Sequence, residues 1–152
     1  MNETTERGRR RLDARLVPLS RERQRLLVPP KGWIRAIRDA LGMSGVQLAK
    51  RLKVSPQTVE AMEKSEAAGT IQLNTLKRAA EALDCTLVYA LIPNTSLENT
   101  VNDRARQIAT AALARVSHTM KLEDQDTGDG ELEARIEDYI RHLKDRDLWN
   151  SP

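Results

Sequence analysis

Phenylalanine is absent from this chain of 152 residues, which holds only two tryptophans, two tyrosines, two histidines and one cysteine. With so few aromatics, leucine, isoleucine, valine and alanine must fill the interior, and that suits packed helices better than a sandwich of sheets. The lone Cys85 excludes an internal disulfide. Cys85, His118 and His142 show no metal-ligand spacing, so the histidines read as helix-surface residues and no metal or other cofactor is expected. No apolar run approaches the roughly 18 residues that would span a membrane. The opening MNETTERGRRRLD is basic but leads into no apolar segment, which is unlike a secretory signal. A glycine-rich phosphate loop and a Ser/His/Asp set are also missing, so no enzyme is expected. The chain reads as a cytoplasmic, bacterial-type protein.

What charge there is lies unevenly. Residues 1–31 carry nine Lys/Arg against four Asp/Glu, residues 32–93 eight against six, and residues 94–152 eight against twelve. The basic end can neutralise phosphates and the acidic end cannot, which separates a DNA-facing part from one facing protein or solvent.

The most informative stretch is 41–64, LGMSGVQLAKRLKVSPQTVEAMEK. Val46, Leu48, Ala49 and Leu52 recur at helical spacing, as do Val59 and Met62 after a break at 53–55. Ser44 can cap the first helix. Ser55 can cap the second, with Pro56 at the first helical position, where its missing N–H costs nothing. Small Ala49 and apolar Val54 fit two helices packed across a tight turn.

These residues resemble the Xre/Cro-type helix-turn-helix: Ser44-Gly45-Val46-Gln47-Leu48-Ala49, Leu52, Val54-Ser55, Val59 and Met62-Glu63. The resemblance spans about residues 33–83 and implies that the second helix enters the DNA major groove. GWIRAIRDALGM at 32–43, SEAAGTI at 65–71 and AEALDCTLVYALIP at 80–93 are similar to a narrower group, the mobile mystery protein A family. Its members are predicted regulators whose genes lie beside genes for Fic/Doc-type proteins, which implies a toxin–antitoxin-like setting and a Fic/Doc-type partner. The resemblance further implies an ion pair between Arg38 and Glu63 that ties the first helix of the unit to the reading helix. One departure is Gly45, which stands where many such domains have a phosphate-contacting glutamine; Gln47, two places on, reads as a helix-surface residue.

Taken in order, residues 1–31 form a basic helical extension and linker. Leu12, Leu16, Leu19, Leu26 and Leu27 make a stripe that Pro18 breaks or kinks, and Arg7, Arg9, Arg10 and Arg11 are either a solvated helix start or a phosphate-contacting arm. Pro29-Pro30-Lys31-Gly32 ends it. Residues 32–84 form the helix-turn-helix domain. Its first helix, 33–41, has Ile34, Ile37 and Leu41 on one face and Gly42 as its stop. Its last helix, 73–83, turns Leu73, Leu76, Ala79, Ala80 and Leu83 inward and ends at Asp84. Residues 85–93 are short, β-branched and apolar, which argues a strand, the alternative being a core helix that ends at Pro93; having no partner in the chain, the strand would pair with the same strand of a second copy. Residues 94–152 form an acidic helical hairpin. One helix carries Leu97, Val101, Ile108, Ala112, Val116 and Met120. The other runs from Glu131 to about Trp149 with Leu132, Ile136, Tyr139, Ile140, Leu143 and Leu148. The expected fold is mainly α: a Cro/lambda-repressor-like helix-turn-helix bundle with one short strand and flanking N- and C-terminal helices.

Two motifs near the acidic loop 123–130 fail. Asp124 and Asp126 have calcium-loop spacing, but Gly130 falls one residue late and Arg135 occupies the position that requires glutamate. Thr127 and Glu131 have the spacing of the [S/T]xxxE[G/N] inhibitory helix of Fic-type systems, but Leu132 replaces the Gly or Asn.

With Val59 and Met62 facing the core, Gln57, Glu60, Ala61 and Lys64 remain available on the second helix. Gln57 suits adenine, Glu60 a cytosine amino group and Ala61 a thymine methyl. Ser44, Lys53, Ser55, Thr58 and Lys64 suit phosphates. The expected function is a sequence-specific transcriptional regulator acting as a homodimer on an inverted repeat in double-stranded DNA, an autorepressor and antitoxin-like partner of a Fic/Doc-type protein. The alternative is an adaptor that keeps the fold but neutralises a partner without specific DNA binding.

Overall fold

The structure, a computed structural model, describes residues 2–120 and 128–150. Seven α-helices are seen among them: α1 (Glu3–Leu16), α2 (Trp33–Ala40), α3 (Gly45–Leu52), α4 (Pro56–Ala67), α5 (Leu73–Ala82), α6 (Leu97–Met120) and α7 (Asp129–His142). The chain divides into two compact units, one of residues 22–90 and the other of residues 1–21 with 91–152.

Residues 22–90 hold α2 to α5 around Ile34, Leu48, Ala49, Val59, Met62, Ala79 and Leu83, with Ile37, Met43, Leu52, Val54, Ile71, Leu76, Ala82 and Cys85 packed against them. Leu48 and Ala79 are wholly buried. Three apolar residues expected inward are not. Leu41, Val46 and Leu73 are half or more exposed, because each sits in the first turn of its helix or past the last, outside the stripe that meets a neighbour.

The four helices end alike. After each, the residue two positions beyond the helical stretch, or next to it, has positive φ: Gly42, Lys53, Gly69 and Asp84. The following N–H reaches back five residues, from Met43 to Arg38, Val54 to Ala49, Thr70 to Ser65 and Cys85 to Ala80, at 2.8 to 3.0 Å. This left-handed cap satisfies carbonyls that the helix leaves open. Gly42 and Asp84 stop their helices where the sequence indicates.

The other unit is built on α6. Val101, Ala105 and Leu148 are buried together, with Ile108, Ile140 and Leu143 against them, and α6 packs on both α1 and α7. α1 stops at Leu16, just before Pro18, and residues Val17–Leu26 continue as a 3-10 helix. Most of the leucine stripe is exposed, Leu12, Leu19, Leu26 and Leu27 among it, and Leu16 is half-buried. Arg9 and Asp13 tie α1 to α6. The Asp13 carboxylate accepts from the N–H groups of Leu97 (2.7 Å) and Glu98 (3.0 Å), and Ser96 Oγ accepts from Asn99, so three open donors at the start of α6 are satisfied. Arg9, buried, donates to Glu98. Arg7 and Arg10 pair with Glu3 and Glu6 one turn back. The arginine cluster is thus partly engaged within its own unit.

α7 is shorter than expected. It ends at His142, a 3-10 turn follows at Asp145–Asp147, and Arg104 Nε donates to the carbonyl of Leu148 at 2.9 Å. Leu132 and Tyr139, expected on the apolar stripe, are exposed. Residues 123–127 of the acidic loop, with Asp124, Asp126 and Thr127, lie outside the described residues.

The short strand is the clearest difference. Among the described residues no strand is present, and 85–92 is irregular. Residues 86–90 form no backbone hydrogen bond, and Val88, Tyr89 and Leu91 are 80%, 73% and 88% exposed. A strand needs a neighbouring ladder, and the described residues offer none.

Candidate nucleic-acid interface

Both helices of the α3–α4 pair are capped at their N-termini. At the start of α3, Ser44 and Gln47 form a reciprocal cap: Gln47 N donates to Ser44 Oγ (3.2 Å) and Ser44 N to Gln47 Oε1 (2.7 Å). Gln47 is therefore a structural residue, and this cap supports a helix that begins on Gly45. At α4, Ser55 Oγ accepts from Thr58 N at 3.2 Å and lies 2.9 Å from Thr58 Oγ1, with Pro56 at the first turn. Both hydroxyls remain at the surface end of the helix.

Lys53 occupies the left-handed position of the turn between α3 and α4, at φ 57° and ψ 43°. An L side chain is disfavoured there by about 1 to 2 kcal/mol. Lys53→Gly should accordingly raise the midpoint of thermal unfolding, by an amount corresponding to up to about 1 kcal/mol after glycine's larger unfolded-state entropy is counted. A lowered midpoint would contradict this account of the turn.

α4 divides into two faces. Val59, Met62, Glu63 and Glu66 point inward and are buried; Gln57, Glu60, Ala61 and Lys64 are exposed. Gln57 has no polar partner among the described residues. Glu60 and Lys64, one turn apart, form an exposed ion pair at 2.8 Å. The Lys64 hydrogen bond, more than its charge, holds the Glu60 carboxyl below the ordinary range. The structure thus brings Gln57, Glu60, Ala61 and Lys64 onto one open surface, with Ser55, Thr58 and Lys53 at its N-terminal edge and Ser44 one helix back.

The inward carboxylates brace that surface. Arg38 on α2 donates through Nε to Glu63 Oε1 (2.6 Å) and through Nη2 to Oε2 (3.2 Å), and through Nη1 to the carbonyl of Met43 (2.9 Å). The bond to Glu63 raises the Arg38 pKa further, against the opposing effect of burial.

Glu66 was not anticipated. Its oxygens accept from the N–H groups of Trp33 (2.6 Å) and Ile34 (3.0 Å), capping α2 from another helix. α2 needs it because the residue before the helix is Gly32, which has no side chain to cap with. The signal was present as spacing: Glu63 and Glu66 fall on the Val59 and Met62 face, where a carboxylate must find donors. Arg51 is a second unforeseen tie, its Nε donating to the carbonyl of Ala82 at 2.7 Å.

Residues 34–89 match the helix-turn-helix family model, little more than a third of the chain. The match supports a DNA-binding regulator. Comparison with curated proteins and with solved structures found no match. No helix among the described residues is long and apolar enough to cross a membrane.

Proposed function

We propose that the protein is a sequence-specific regulator of transcription that reads the major groove with the exposed face of α4. The observation that carries this is the division of α4, whose inner face is anchored by Glu63 and Glu66 to α2 while Gln57, Glu60, Ala61 and Lys64 stay open. Gln57 reads adenine, Glu60 cytosine and Ala61 a thymine methyl. Ser44, Lys53, Ser55, Thr58 and Lys64 contact phosphates, which position the helix without specifying sequence.

Gln57→Ala should relax preference at one base position per half-site, by roughly 1 to 3 kcal/mol of discrimination. Lys64→Ala should weaken binding to the recovered duplexes and flatten their salt dependence by about 0.9 in the logarithmic slope. Titration of each variant against duplexes recovered from a randomised library, and against random DNA, tests both. Equal losses on the two kinds of duplex for Gln57→Ala would remove its assigned role, and a wild-type chain that binds no duplex would favour the adaptor.

The working form is a homodimer on an inverted repeat, with two α4 helices about one DNA turn, roughly 34 Å, apart. The unpaired apolar run at 86–90 supports pairing with a second copy, since an exposed strand-like segment finds its backbone partners in another extended chain. Light scattering at micromolar concentration should report a dimer, and Val88→Pro, which removes a ladder donor, should shift it to monomer. A monomeric wild type would sink the pairing. Autorepression follows if the repeat overlaps the gene's own promoter. Partnership with a Fic/Doc-type protein, with action in the cytoplasm, rests on the resemblance of 32–43, 65–71 and 80–93 to the mobile mystery protein A family.

A further inference from the structure

The two charged side chains on the open face of α4 hold each other rather than solvent alone: Lys64 Nζ lies 2.8 Å from Glu60 Oε1. The other positions of that face, Gln57 and Ala61, are uncharged. Glu60 therefore decides what charge this face presents to DNA. Beside a phosphate, a lysine whose nearest neighbour is a carboxylate displaces few counterions, and the carboxylate itself is repelled. Over a cytosine the situation reverses. The N4 amino group donates to the carboxylate and replaces the ammonium as its partner. An exposed pair one turn apart is weak enough for this exchange to occur on contact.

We infer, resting on the reading of α4 as the DNA-reading helix, that Glu60 and Lys64 act as one exchange device. Glu60 withholds Lys64 from the phosphates of wrong sequences and releases it where a cytosine amino group takes its place. Discrimination then comes from weakening the wrong complexes as well as from contact with the right one. Lys64 serves as a phosphate contact only on cognate DNA.

The test uses the full chain as wild type, Glu60→Gln, Lys64→Gln and the double variant. Duplexes are first recovered from a randomised library by the wild type and by Glu60→Gln. Affinities are then measured against salt on the wild-type duplexes and on a random-sequence duplex. Wild-type duplexes should share a cytosine at one position per half-site that the Glu60→Gln selection loses. On random DNA, Glu60→Gln should bind about fivefold more tightly, with a logarithmic salt slope steeper by about 0.9, the mark of one added phosphate contact. Adding Lys64→Gln should abolish that gain. A gain that survives without Lys64 overturns the exchange, because relief of simple repulsion by Glu60 then explains it. An unchanged random-DNA slope in Glu60→Gln overturns it too, while leaving the DNA reading intact. A wild-type chain that recovers no duplex overturns both.

Discussion

Arg38→Ala is expected to destabilise the helix-turn-helix unit by about 3 to 5 kcal/mol, the usual cost of leaving a buried charge without its partner. The Arg38 and Glu63 side chains are only 12% and 10% exposed, and the pair is bidentate. Removing Arg38 also strips the Met43 carbonyl of its donor, just where α2 leads into the turn before α3. Glu63→Ala should cost less. The guanidinium it leaves behind keeps the Met43 carbonyl and Asp39, 3.0 Å away. The double variant Arg38→Met, Glu63→Leu should lose less than Arg38→Ala alone, since it strands no charge and refills the volume. Urea unfolding of the three variants measures this. If the double variant loses as much as the sum of two single losses, the pair is not coupled as described. Total stability of a domain is typically about 5 to 15 kcal/mol, so Arg38→Ala should leave the α4 surface poorly formed and DNA binding reduced with it.

Glu66→Ala should cost about 2 to 4 kcal/mol. Two N–H groups at the start of α2 lose their acceptor, one of them buried, and each unsatisfied donor costs about 1 to 3 kcal/mol. Glu66→Gln keeps one acceptor oxygen and should lose about half as much. Gly32→Ala attacks the same junction from the other side. Gly32 has φ +82° and ψ 164°, a region open essentially to glycine alone, and an added Cβ would stand 2.7 Å from Glu66 Oε2. The two substitutions should therefore not add. With Glu66 reduced to alanine the added methyl meets no carboxylate, and only the backbone strain of Gly32→Ala remains. Additive losses in a double-mutant cycle would refute the direct contact.

Both effects concern residues that read differently from the sequence. The Arg38–Glu63 pair was reached only through resemblance, and Glu66 was read only within the 65–71 stretch that carries that resemblance. The periodicity of α4 nonetheless marks 59, 62, 63 and 66 as one face, so a carboxylate at 66 was a legible anomaly. The glycine before α2 was its counterpart. Neither residue names the other, because a cap supplied across 33 residues has no spacing signal. The α1 leucines misled for a related reason. A stripe at helical spacing says that one face is apolar, but Arg9 and Asp13 tie α1 to α6 through charge and an open helix terminus.

By itself the sequence determined where α3 and α4 begin and where α2 and α5 end. Ser44, Ser55 with Pro56, Gly42 and Asp84 act on N–H and carbonyl groups within a few residues, and such local chemistry is the same wherever the helix later packs. It also determined the open face of α4, since Val59 and Met62 assign the inward side and leave the remainder outward. The tertiary structure alone decided which distant groups answer one another: Glu66 at α2, Asp13 at α6 and Arg51 at the end of α5. It also left 86–90 unpaired, because backbone pairing depends on which chain lies alongside and no residue type carries that information.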